Sequence, residues 1–208
     1  MNRIKSALLL GLMSASLWML PGAANAQAPY ITVTPAQHTE VAPGKIDVLE
    51  FFWYGCPHCF ELEPELAAWA KKLPAHVVFK RQPAIFSDRW EPLAKAYFAL
   101  EALGEVERLH GALLNTIHAE GRDLNAPEAF FAWAAAQGVD ANKLKTAYQS
   151  FSVFSKVAKA RQLSKAYPLK GVPALVINGK YLSSPSDAGG YVPLLRVADQ
   201  LIARESKR

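Results

Sequence analysis

The chain has 208 residues, a formal net charge of +5, 51% hydrophobic residues and 20% charged ones. The mild basic excess is scattered, with only short clusters such as Lys71-Lys72 and Lys207-Arg208, and does not suggest nucleic-acid binding. With only two cysteines, the fold cannot be a disulfide-stapled scaffold, so its stability must come from a hydrophobic core.

Residues 1–26 read as a cleavable export signal. Arg3 and Lys5 are its positive end, Ala7 to Leu20 its apolar stretch, and Ala24-Asn25-Ala26 its small-residue cleavage site. The apolar stretch is too short to span a bilayer comfortably. Cleavage after Ala26 would leave 182 residues with a charge of +3, since Arg3 and Lys5 leave with no acidic residue. That length suits one large domain or a domain with an insert. The product should be soluble and exported.

A short β-like stretch, Tyr30 to Val33, is followed by a polar segment. Ile46 to Trp53 is apolar and aromatic, broken by Asp47 and Glu50, and suits a strand covered on both faces. A Tyr54-Gly55 turn leads to Cys56, and Pro57 stands at the first position of a helix running to Lys72. Pro64 predicts a kink in it. His76 to Gln82 reads as a second strand, completing a β-α-β unit. From residue 88 to about 165 the pattern is helical, with stripes through Trp90 and Leu93, Val106 and Leu109, and Phe130 and Trp133. It continues through Leu144, Tyr148, Phe151, Phe154 and Val157, aromatic positions expected to be core. Strand signals return at Ala174 to Ile177. Asn178-Gly179 is a hairpin turn and Lys180-Tyr181-Leu182 the return strand. A polar loop containing Pro185 precedes a final helix from about Tyr191 to Arg204.

Cys56-Pro57-His58-Cys59 holds both cysteines at the carboxyl end of a strand and the start of a helix. The pair has no structural cysteine partner elsewhere and is either a redox centre or half of a metal site. Structural zinc usually takes four ligands. No second cysteine pair exists, and His38, His76, His110 and His118 show no ligand spacing, so the redox reading prevails and no metal or cofactor is expected. Unpaired amides and the helix dipole should favour a Cys56 thiolate, with protonated His58 adding to the effect. Such a thiolate is a good leaving group, which makes its disulfide oxidising. Cys59, one turn along, should be more buried and form and resolve disulfides.

The segment Glu50-Phe51-Phe52-Trp53-Tyr54-Gly55-Cys56-Pro57-His58-Cys59 closely resembles the active-site segment of the DsbA family of thiol:disulfide interchange proteins, a branch of the thioredoxin superfamily. The export signal, the helical block between two β-containing segments and Gly171-Val172-Pro173 extend the resemblance over the mature chain. It implies an α/β fold, a thioredoxin-like domain (27–87 and 166–208) with an inserted all-helical subdomain (88–165). It also implies a periplasmic dithiol oxidase that passes the Cys56–Cys59 disulfide to reduced exported polypeptides. Reoxidation would fall to a membrane-bound, quinone-linked partner of the DsbB type. A monomer is the simpler expectation.

By the same resemblance Pro173 is a cis-proline that turns the Val172 backbone toward an extended substrate; the other reading is an ordinary trans proline capping a strand. Glu50 is a buried acid that relays the proton of Cys59, or a strand-end glutamate paired with a cation. Arg81 stands where the family often has lysine. Arginine cannot carry a proton as a neutral group, which leaves electrostatic tuning. Two alternative functions are a thioredoxin-like reductase or isomerase, and a peptide-binding holdase with incidental cysteines.

Overall fold

The computed structural model describes residues 28–207. The expected signal segment, residues 1–26, lies outside the described residues. Among these residues, no helix is long and apolar enough to cross a membrane.

The elements in chain order are β1 (Ile31–Thr32), β2 (Ile46–Phe52), α1 (Pro57–Ala70) and β3 (Val77–Pro83). The helical block follows: α2 (Glu91–Ala102), α3 (Val106–His118), α4 (Pro127–Ala136), α5 (Ala141–Tyr148) and α6 (Phe151–Ala166). The chain closes with β4 (Ala174–Ile177), β5 (Tyr181–Ser183), α7 (Pro185–Ala188) and α8 (Tyr191–Glu205). The strands form one sheet in the order β1-β5-β4-β2-β3. β2 runs parallel to β3 and antiparallel to β4. The polar loop around Pro185 contains a short helix, α7, held by a capping box between Ser184 and Asp187.

Alternation along β2 sorts its side chains. Ile46 and Val48 face α1 and α8, packing with Leu62, Leu66, Leu194 and Leu201. Leu49 and Phe51 face the other side, where Val176, Tyr167 and Leu163 cover them. Period-two geometry therefore places Glu50 under α1. Glu50 is paired in register with Arg81 of β3, so both side chains enter the same space. The hairpin joining β4 to β5 turns at Asn178 and Gly179, both with positive φ (52° and 66°). This left-handed pair makes the tight turn that matches strand twist. A Cβ on Gly179 would also lie 2.1 Å from the Gln37 carbonyl oxygen.

The helical block is one wall of the main core. Phe52, Tyr54, Cys56 and Cys59 belong to the same buried cluster as Leu93, Leu109, Leu113, Phe130 and Trp133. The Trp133 indole N–H donates to Thr116 Oγ1 at 3.0 Å, satisfying the one polar atom that this ring buries.

Two aromatic residues depart from the expected pattern. Phe151 is 85% exposed and Phe154 63% exposed, not core. The buried stripe of α6 runs Val153, Val157, Ala160 and Ser164. Ser150 starts the helix by accepting from the Val153 amide, and that start turns Phe151 and Phe154 toward solvent. The contrast gives a stability test. Phe130→Ala should cost about 3–5 kcal/mol by chemical denaturation, whereas Phe151→Ala should stay within about 0.5 kcal/mol. Equal losses would contradict this placement of the core.

Candidate active site

Cys56 is the N-cap of α1 and Pro57 its first residue. A short turn carries the chain from β2 to this point, with the Cys56 amide bonded to the Trp53 carbonyl at 2.9 Å. Gly55 is required inside that turn, because a Cβ there would lie 2.4 Å from the Trp53 indole. Trp53 in turn stacks on Trp90, with ring centroids 4.2 Å apart. α1 continues through Pro64 without interruption.

The two sulfurs are both buried but stand in opposite electrostatic settings. The Cys56 thiol is pushed down to about 6. The largest cause is the hydrogen bond from the Cys59 side chain, followed by the amides of Cys59 and His58 and then by the charge of His58. Sequence reasoning had named the helix-end amides and the imidazole; the thiol one turn along contributes more than either. Cys59 is pushed far above an ordinary thiol, first by burial, then by its bond to Cys56 and that sulfur's charge, with Glu50 adding to the effect.

The Val172–Pro173 peptide is cis. In its thiol form Cys56 donates to the Val172 carbonyl at 3.3 Å, which brings this loop against the cysteine pair. A groove of ≈ 450 Å³ runs beside it, lined by His58, Val172, Pro173, Leu182 and Tyr191 among others. His58 is exposed. Its Nδ1 lies 3.2 Å from Glu61 Oε2 and 3.1 Å from the Tyr191 hydroxyl, which itself donates to Glu61 at 2.5 Å. Neither Glu61 nor Tyr191 stood out in the sequence, where one was a helix-face acid and the other the start of a distant helix.

Beneath the cysteines lies a buried charge cluster. Glu50 is 1% exposed. Burial drives its carboxyl up to about 8, against the pull of Arg81 and with the help of Glu63. Arg81 Nε stands 3.3 Å from Glu50 Oε2, and Arg81 Nη2 donates to Glu63 Oε1 at 2.8 Å. Glu63, which sequence reasoning did not single out, is buried on the same face as Cys59. His110 of α3 completes the group, with Nε2 3.3 Å from Glu63 Oε2 and Nδ1 3.0 Å from the Tyr54 hydroxyl. Helical spacing puts residues 59 and 63 on one side of α1, a signal available from the sequence. Nothing in the sequence pairs His110 with them. Ligand atoms of Glu50, Glu63 and His110 lie within 4.8 Å of one another, close enough to hold a metal ion. The Arg81 guanidinium already supplies a positive charge to both carboxylates.

Comparison with known proteins bears on this arrangement. A family model described as a DSBA-like thioredoxin domain matches residues 79–190. The chain is 45% identical over 169 residues to the thiol:disulfide interchange protein DsbA of Azotobacter vinelandii, covering 81% of this chain and 79% of that one. The chain belongs to the DsbA family. Its relatives include the DsbA of Burkholderia cepacia, 40% identical across 97% of this chain and 96% of that one. The crystal structure of Pseudomonas aeruginosa DsbA superposes with a TM-score of 0.82 at 39% identity, covering 86% of this chain and 92% of that one. The oxidoreductase DsbA from Xylella fastidiosa superposes at 0.80 with 29% identity, over 86% and 96%. The fold is therefore α/β and thioredoxin-like, with a long run of helices between β3 and β4.

The low Cys56 value has a consequence for stability. Its folded-state value lies below the ordinary thiol value of 9.0. The thiolate contribution to the reduced fold is thus complete above about 9 and is lost as pH falls through about 6. Reduced protein is expected to lose stability relative to reduced Cys56→Ala as pH drops across this window. Denaturation of both at several pH values checks it, and parallel curves would contradict it. Cys59→Ala, which removes the largest cause, should also raise the Cys56 titration seen by thiolate absorbance.

Proposed function

We propose that this chain is a periplasmic dithiol oxidase that donates its Cys56–Cys59 disulfide to reduced cysteines of newly exported polypeptides. The observation that carries this reading is the opposed setting of two sulfurs one helical turn apart, one favoured as thiolate and the other as thiol. Membership of the DsbA family supports a thiol:disulfide oxidoreductase role, and the asymmetry of the pair supports the oxidising direction.

In the first step a substrate thiolate attacks Cys56 Sγ, a mixed disulfide forms, and the Cys56–Cys59 bond breaks. Cys59 leaves with the electron pair and takes a proton. Glu50, protonated at neutral pH and buried in the strand below, is the donor we assign to that proton. Arg81 tunes the charge there without relaying a proton. In the second step another substrate thiolate attacks the substrate sulfur of the mixed disulfide. The bond to Cys56 breaks, and Cys56 departs as a stabilised thiolate.

Pro57 starts the helix without adding an amide. His58 stabilises the departing sulfur, and the Val172-Pro173 backbone receives an extended substrate segment beside it. The reduced protein would be reoxidised by a membrane-bound, quinone-linked partner of the DsbB type. The chain would act as a monomer, without metal or other cofactor.

Cys56→Ser is expected to abolish oxidation of a reduced test protein, and Cys59→Ser to accumulate mixed disulfides. Equilibration with glutathione buffers should give a strongly oxidising couple. Retained turnover without Cys56, or a strongly reducing couple, would overturn the proposal.

A further inference from the structure

His110 belongs to the helical block, yet its ring is buried against the active-site helix. None of the steps proposed above uses it. Its partners fix its tautomer. A carboxylate oxygen only accepts, so Nε2, facing Glu63, carries the hydrogen; Nδ1 then accepts from the Tyr54 hydroxyl. The titratable and charged groups around the ring come from every side: Glu63 of α1, Arg81 of β3, Tyr97 of α2, Tyr54 of the turn after β2, and Glu107 of its own helix. Those around Glu50 are Arg81, Glu63, Cys59, His110, Tyr54 and Tyr97.

The cluster poses a problem of charge. Two buried carboxylates share one guanidinium. With both ionised and His110 neutral, one negative charge is left over among buried side chains, which is costly. One carboxyl therefore keeps a proton, and the neighbours decide which. Arg81 gives Glu63 its closest contact, Nη2 to Oε1 at 2.8 Å, and Glu50 the longer one, Nε to Oε2 at 3.3 Å. His110 brings Nε2 to 3.3 Å from Glu63 Oε2, at ion-pair distance though short of hydrogen-bond alignment, and Glu63 is the nearer of the two carboxylates, with a Glu50 oxygen within 4.8 Å.

We propose that His110, held by Tyr54, is a positioning residue that selects the proton carrier: by directing its N–H at Glu63 it commits Glu63 to Arg81 as the ion pair and leaves Glu50 as the protonated acid for Cys59. The inference rests on the reading of Glu50 as that acid. The electrostatics agree with the geometry. Burial pushes Glu63 up, yet His110 and then Arg81 outweigh burial and hold it below an ordinary carboxyl, while Glu50 stands at about 8. The arrangement also gives Arg81 a role that requires no proton of its own.

The test compares His110→Leu with His110→Gln, whose side-chain amide can still donate to Glu63. Carboxyl carbon NMR, with Glu50→Gln for assignment, follows each acid with pH. The rate of mixed-disulfide formation with a reduced single-cysteine peptide follows the chemistry. In His110→Leu the Glu50 titration should fall from about 8 toward about 7, slowing the step about fivefold at pH 8, where the protonated fraction falls from about one half to about one tenth. His110→Gln should restore both, and the Cys56 thiolate titration should not move in either. A Glu50 titration that is unchanged in His110→Leu overturns the role of His110, even if Glu50→Gln slows the reaction. A rate unaffected by Glu50→Gln overturns the assignment of Glu50 itself, and this inference with it. Should His110→Leu fail to fold, the unsubstituted protein decides: a proton found on Glu63 instead of Glu50 at neutral pH overturns the proposal.

Discussion

A helix that begins with proline offers its first free amides one residue later. In α1 those amides belong to His58 and Cys59, and both help to hold the Cys56 thiol down, although the Cys59 amide also bonds the Cys56 carbonyl at 3.1 Å. The sulfur is the N-cap, so its position is set by the backbone and not by a flexible side chain alone. The Cys59 thiol, one turn along, then supplies the strongest single stabilisation. The spacing of two residues between the cysteines thus does two things. It lets the sulfurs bond when oxidised, and it lets one solvate the other when reduced.

Stabilising one sulfur in this way penalises its neighbour. Cys59 donates its hydrogen to Cys56 and sits in an apolar wall, so its own anion is disfavoured twice. A disulfide whose two sulfurs differ this much releases them unequally, and the buried sulfur needs a proton at the moment of release. A buried carboxyl held neutral at pH 7 suits that need, and burial, helped by the charge of Glu63, holds Glu50 there against Arg81. The cation lowers the cost of ionising Glu50 once its proton has gone. Without Arg81 a buried Glu50 anion would be prohibitive; with Arg81 fully committed to Glu50 the proton would already be lost.

Much of this was legible because it is local. Cysteine spacing, proline at the first helical position, period-two alternation in β2 and the Asn178-Gly179 turn are all set by residues within a few positions of one another. Alternation alone puts Glu50 under α1, and a parallel register puts Arg81 beside it. Glu63 was obscured by its composition: a glutamate between Leu62 and Pro64, in a helix with Glu61 and Glu65, reads as solvated face. Its burial becomes intelligible only once α3 packs across α1. His110 was hidden for the same reason, since the docking of one amphipathic helix on another is a long-range choice. Phe151 and Phe154 misled in the opposite sense. Their spacing matched a stripe that the N-cap at Ser150 rotates away from the core.

The helical block is more than a cap over the site. α3 packs on α1, and its two histidines grip the same tyrosine from different directions: His110 holds the Tyr54 hydroxyl and His118 donates to the Tyr54 carbonyl at 2.8 Å. His118 also stacks on Phe60, the residue after Cys59. The wall that keeps water from Cys59 and Glu50 therefore comes partly from residues fifty positions away. Remove that wall and both groups would return toward ordinary values, since burial is the leading cause of each shift. A bare strand-turn-helix carrying the same four residues would keep the helix-end amides and lose the buried acid. On this view the distinction between the two cysteines is local at Cys56 and tertiary at Cys59, and only a chain that folds its helices back over α1 obtains both halves.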